Sequence, residues 1–360
     1  MQTESAKGNI GEWSELYALG YLLLNGGAFA ADEMQNSIQQ LFHKVLDVRI
    51  SDTSSENELQ YHIKHSAVSI LIEGEEVAKV EKSLIEAHLK SLLFDLQSGR
   101  NRGTFSLDSG SALLSSLRKN RISASSWNME TDLDLSLEDP VTGSPTPWVG
   151  FSVKSQLGGR STLLNASGAT NFVFKVVKNE NSHFSEYPKF EHGQHRKNLE
   201  RLYSAGFKLE FESMANPVFY TNLTLLDLQF PRLLADALVS SYLSGVNSFS
   251  EVIHQIFPPS DDNSRQPIFK FKEFLGAIAM GLRPSTQWDG DTTKFKGILV
   301  VKQSGEVVFY YLYNRKNFEE YLFRNVSFER ASTSRHNYGT IYAEEGIDKI
   351  KLNLQIRFNA

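Results

Sequence analysis

Residues 131–156 gather the side chains of this chain best suited to chemistry. Asp132, Asp134 and Glu138 alternate with Leu133, Leu135 and Leu137, so an extended strand here would line one face with carboxylates. A turn, PVTGSPTP, follows. The next run, WVGFSVKSQ, alternates again and puts Ser152, Lys154 and Gln156 on one face. Two adjacent strands of this kind bring a carboxylate and a lysine amine together at the edge of a sheet. Carboxylate oxygens suit a hard divalent cation such as Mg²⁺. A neighbouring lysine can orient or deprotonate an attacking water and offset charge building on a phosphate. A metal-dependent nuclease requires that layout.

The elements that must position these groups are legible on either side. Asn9 can cap a helix over 10–24, with Glu12 at capping-box spacing and Gly26-Gly27 ending it. Its apolar residues fall on two sides, which predicts burial, with Glu15 at the mouth of one apolar face. Strands are predicted at 45–50 and 67–72, and the EGEE turn at 73–76 leads toward a helix near 79–97. A further helix over 109–119 precedes the acid strand. After Lys154 comes a polar loop, Gly158 to Thr162, and then a third alternating strand over 171–177. Polar residues beyond 178 suggest a boundary. Helical patterns follow at 192–205, 222–244, 248–256 and 269–281, with Pro231 breaking or kinking the second. The C-terminal part turns to strands at 297–302, 307–313, 340–342 and 350–358. The expected class is α/β (α+β), a central mixed sheet flanked by helices.

Composition sets wide limits. The chain has 360 residues, 41% hydrophobic and 22% charged, with a net charge of −5. Residues 1–150 hold 12 Lys and Arg against 21 Asp and Glu, or −9, and residues 151–360 hold 25 against 21, or +4. An acidic half carrying carboxylates beside a mildly basic half is compatible with a DNA partner. Zero cysteines exclude disulfides, zinc ribbons and thiol nucleophiles. The absence of an apolar run of about eighteen residues, or of a leader, predicts a cytoplasmic protein with no membrane partner.

Asp132, followed some twenty residues later by Ser152-Val153-Lys154, resembles the PD-(D/E)xK nuclease core, with serine where the second acid usually stands. The phrases GEWSELYAL (11–19), GFSVKSQLGGRSTLLNASGATNF (150–172) and KLNLQIRF (351–358) are similar to the HpaII family of Type II restriction endonucleases, which cut double-stranded DNA at CCGG. The resemblance spans essentially the whole chain. It implies a Mg²⁺-dependent restriction endonuclease, a homodimer on a palindromic duplex, and a cognate methyltransferase acting on the same site. It also implies a nuclease core at 1–178, with an insertion around 26–108. Residues 179–360 would then be a helical, then β-rich, region for DNA recognition or dimerisation.

The same resemblance assigns roles. Asp132 would hold the metal and Lys154 would activate water. Glu15 would supply the carboxylate that Ser152 lacks, because many enzymes of this superfamily present a glutamate from the first helix. Asp134 is an alternative metal ligand, and Gln156 would position substrate or water. Arg160, Ser161, Thr162, Asn165 and Asn171 lie just past the lysine strand, where DNA should approach. Arg160, Arg283 and Arg335 are among the candidates for reading guanine. His192 and His195 fit a polar helix start better than a metal pair. Two other readings stay open: a repair or junction-type nuclease with the same core, and a non-catalytic DNA-binding protein whose core has decayed at Ser152.

Overall fold

A complete capping box starts the first helix, Ile10–Asn25. The Asn9 side chain accepts the Gly11 and Glu12 amides at 2.8 and 3.1 Å, and Glu12 accepts the Asn9 amide at 2.7 Å. Gly26 closes the helix in the left-handed region (φ 69°), its amide donating to Leu22 O at 2.8 Å. Nine residues of this helix are buried, as its two-sided apolar pattern requires. The computed structural model describes residues 6–51, 58–98, 103–120, 122, 131–139, 141–180, 186–191, 193–290, 295–311, 315–331 and 333–359. His192 and Tyr313, included in the sequence-based elements, lie outside the described residues.

The chain is a mixed α/β protein that divides into two compact units. The first comprises Met1–Ser161, Thr292–Tyr321 and Ala360, and the second Thr162–Asp291 and Leu322–Asn359. Among the described residues, nine strands of the first unit share one sheet. Its order is Gly27–Ala31, Val307–Tyr311, Phe295–Val301, Val149–Ser155, Leu133–Leu137, Ser37–Ser51, Glu58–Ile63, Ala67–Ile72 and Glu75–Glu81. Gly27–Ala31 also pairs with Ser37–Ser51, so the first six strands in that order close into a ring. Two of its pairings are parallel, Phe295–Val301 beside Val149–Ser155 and Val307–Tyr311 beside Gly27–Ala31.

The helices Ile10–Asn25, Lys82–Gln97 and Asp108–Ser116 pack on this sheet and share one core with it, from Trp13 and Leu19 to Phe151, Leu299 and Phe309. Gly110 leaves no room for a Cβ against the Trp13 ring. The Trp13 indole N–H donates to Phe105 O at 3.2 Å.

Several elements differ from expectation. Residues 27–81, set apart in the sequence as an insertion, supply five strands of the sheet that holds the acid strand. The turn at Glu73-Gly74, both with positive φ, joins two strands, and the helix starts only at Lys82. The strand beside the lysine strand is Phe295–Val301, brought from far along the chain. Asn171–Lys178 is a strand as expected, but it sits in the second unit. The PVTGSPTP hairpin is formed, and Asp139 Oδ1 accepts the Val141 and Thr142 amides at 2.9 and 2.8 Å.

The second unit has two sheets and a group of helices. Phe207–Met214, Asn171–Lys178, Ile347–Asn353 and Ile341–Glu344 form one antiparallel sheet in that order. Thr162–Leu164, Ile356–Phe358 and Val326–Phe328 form the other. Its helices include Pro217–Leu226 and Phe230–Ser244. Pro231 falls in the first turn of the latter, where its missing N–H leaves no helical bond unmade. Among the described residues no helix is long and apolar enough to cross a membrane.

Candidate active site

Register places the acid strand antiparallel to the lysine strand, Leu133 opposite Phe151, Asp134 opposite Gly150 and Leu135 opposite Val149. Phe151 and Val153 point into the core and are buried, while Ser152, Lys154 and Gln156 alternate with them and stay half-buried. Asp132 stands one residue before the acid strand. Its amide donates to Phe151 O at 3.0 Å, and its Oδ2 accepts the Val153 amide at 2.6 Å. The carboxylate is therefore tied to the backbone of the residue next to Lys154, whose positive charge acts on it directly.

Loss of hydration pushes the Asp132 pKa above the ordinary aspartate value, although the Lys154 charge and the Val153 N–H both pull it down. A carboxylate in that state lacks compensation for its charge, which a divalent cation would supply. Among the described residues no group of three or more His, Cys, Asp or Glu could hold a metal. The donor set around Asp132 is thus sparse. Asp132 could serve as a single carboxylate ligand of a hard divalent cation, with water and substrate phosphate oxygens making up the rest of the shell.

The other expected groups separate into distinct situations. Asp134 is 4% exposed and engaged with Arg49 Nη2 at 3.3 Å and with the Thr131 hydroxyl at 3.1 Å. Arg49 in turn lies over the Trp148 ring at 4.7 Å and near Glu58 at 3.7 Å, so Asp134 anchors a half-buried ionic group. Glu138, the third acid of the run, pairs with Lys44. Glu15 is half-buried in the second turn of the first helix, which packs on the lysine strand. The start of that helix meets the end of the strand region, where Ile10 leaves no room for a Cβ on Gly158. Ser152 shares the Lys154 face. Gln156 donates to Gln35 Oε1 at 2.8 Å, which ties the lysine strand to the turn before the long strand.

The expected DNA contacts fall in both units. Arg160 is exposed, and the Ser161 hydroxyl donates to Ser155 O at 3.3 Å. Thr162 is a strand residue opposite Arg357, and Asn165 is exposed in the loop that follows. Asn171 is 3% exposed; it donates to His336 O at 2.9 Å and accepts from Asn353 at 2.7 Å, so its amide is committed inside the second unit. Arg283 caps the end of the Arg265–Ala279 helix through Ile278 O at 3.0 Å. The Val153 amide, Gln35, Thr131 and Arg49 are the positioning groups that sequence patterning did not reveal. Backbone donors and cross-strand partners leave no compositional signal.

The family model described as the HpaII restriction endonuclease matches residues 9–358. The Type II restriction enzyme HpaII of Haemophilus parainfluenzae is 34% identical over 362 residues, covering 99% of each chain. No solved structure matches the chain.

Proposed function

We propose, because the chain belongs to the HpaII restriction endonuclease family, that Asp132 and Lys154 form the cleavage centre of a Mg²⁺-dependent enzyme specific for CCGG. Membership itself makes it a Type II site-specific deoxyribonuclease, with double-stranded DNA as substrate. The observation that carries the proposal is the clamp at Val153, whose amide fixes the Asp132 carboxylate within reach of the Lys154 charge. That juxtaposition supports a PD-(D/E)xK-type core in which Ser152 replaces the second acid.

In this mechanism Asp132 would be the principal metal ligand and Glu15 would supply the second carboxylate, with Asp134, engaged by Arg49 and Thr131, as a supporting anion. A bound Mg²⁺ would stabilise charge on the scissile phosphate and on the departing 3′ oxygen. The Lys154 ammonium orients a water in line with the phosphorus and offsets charge on the phosphate, and the water gives up its proton to solvent as the new P–O bond forms and the P–O3′ bond breaks. The Ser152 hydroxyl lies on the same strand face and can hydrogen-bond that water or a phosphate oxygen. Arg160 and Ser161 on the following loop supply backbone contacts to DNA.

A palindromic target favours a homodimer whose two-fold axis coincides with that of the duplex. A cognate methyltransferase would protect host sites, and the enzyme would act in the cytoplasm. Recognition and dimer contacts are assigned mainly to the residues beyond 178.

The test is digestion of a sequenced plasmid with and without Mg²⁺, with the fragment ends mapped. Discrete ends within CCGG, lost in chelator, are expected. Cleavage restricted to branched DNA would instead indicate a junction enzyme. Binding to CCGG duplex without any cleavage would indicate a decayed core.

A further inference from the structure

The second unit carries a polar cleft of about 480 Å³ that the cleavage centre does not use. Its chemistry is concentrated in Arg330, Arg335, Arg357, Glu329, Gln355 and Asn165. Three arginines and His336 thus line the cleft with one carboxylate. The scaffold beneath them is a paired sheet with a buried face. Arg357 is in the middle strand of its sheet, between Ser327 and Thr162, and Leu354 and Ile356 beside it are fully buried. Glu329 holds Arg357 as an ion pair at 3.0 Å. Arg330 lies over the Tyr242 ring at 5.3 Å and donates to Tyr242 O at 3.4 Å. Arg335 is exposed on the short helix Thr333–His336.

We infer that this cleft reads the major-groove edge of a G·C base pair. The inference rests on the reading of the chain as an endonuclease of duplex DNA. Guanine presents two acceptors, O6 and N7, which a guanidinium meets with two parallel donors. Cytosine presents an amine donor, which a carboxylate accepts. Arginines and Glu329 answer both halves of that pattern. Glu329 repels a bare phosphate, so a carboxylate in the cleft favours a base edge that offers a donor. Arginines already held by an ion pair and a ring lose little freedom on binding, so their forks are set before DNA arrives.

The test compares the full-length wild type with Arg335→Ala and Arg357→Lys. Binding is measured in chelator on the duplex that wild type selects from a random pool, and on that duplex with each base pair changed in turn. Arg335→Ala is expected to weaken the selected duplex about 10- to 100-fold and to lose discrimination at one G·C position, with unrelated DNA bound as before. Arg357→Lys keeps the charge and loses the planar fork, and is expected to relax discrimination in the same way. Uniform weakening on every duplex, with a shallower salt dependence, would overturn the inference and make the cleft a phosphate contact. Unchanged discrimination in both variants, in a protein that still selects and cuts one site, would overturn it while leaving the endonuclease reading intact. A wild type that selects no duplex would overturn both.

Discussion

Asp132→Asn separates the electrostatic account of the site from a purely structural one. Asparagine keeps the volume and an oxygen to accept the Val153 amide, now held at 2.6 Å, and removes the charge. Metal-borne stabilisation of a phosphoryl transition state is worth several kcal/mol, and at 1.36 kcal/mol per decade its loss slows cleavage about 10²- to 10⁴-fold. Stability should move the other way. Burial raises the folded pKa of Asp132 despite Lys154 and the amide. The native state therefore binds the proton more tightly than the unfolded chain does. Stability is fullest below the unfolded value, about 3.9, and declines as pH rises through the raised folded one. At pH 7 the wild type carries that penalty and the variant does not. Lys154 is half-buried, so water can solvate its charge once the partner is neutral.

Calorimetry in chelator should then show Asp132→Asn melting at or above the wild type at pH 7. Each kcal/mol corresponds to about 2–4 °C for a unit of 150–250 residues. The wild type should regain the difference as pH falls from the raised folded value toward the unfolded one, about 3.9. A variant that melts well below wild type at pH 7 would refute the desolvation argument and make the carboxylate a structural anchor. A variant that still cuts within tenfold of wild type would remove Asp132 from the chemistry.

Lys154→Ala should slow cleavage about 10²- to 10⁴-fold while affinity for the duplex in chelator stays within a few-fold, measured by single-turnover kinetics and fluorescence anisotropy. Burial against Phe309 and Tyr311 lowers the His43 pKa to about 4. The neutral ring therefore contributes stability above pH 6.5 that is lost as pH falls toward the folded value. Urea melts should show a wild-type loss of at most about 3 kcal/mol between pH 7 and pH 4 that His43→Gln lacks. Asn171→Ala removes hydrogen bonds to His336 and Asn353 and should cost about 1–3 kcal/mol in the same assay, with DNA affinity of the folded protein unchanged. Weaker DNA binding at full stability would instead return Asn171 to the DNA face.

Local side-chain patterns determine what is local in the structure. The Asn9–Glu12 capping box, the stop at Gly26, the 67–72 strand, the Pro231 break and the acid–turn–lysine hairpin follow from side-chain spacing and turn chemistry, and each forms as its residues dictate. The nearness of Lys154 to Asp132 was legible for the same reason, since a hairpin joins neighbours in the chain. Strand partnership at long range was not. Alternation says which face of Phe295–Val301 is apolar but not that it lies parallel to the lysine strand, while Asn171–Lys178, much nearer in sequence, pairs elsewhere. The fate of each polar side chain was equally a tertiary matter. Asp132 and Asp134 are identical in type and two residues apart, yet one meets a backbone amide beside Lys154 and the other a half-buried arginine. Likewise the cleft of Arg330, Arg335 and Arg357 assembles from a strand, a loop and a short helix that only folding brings together.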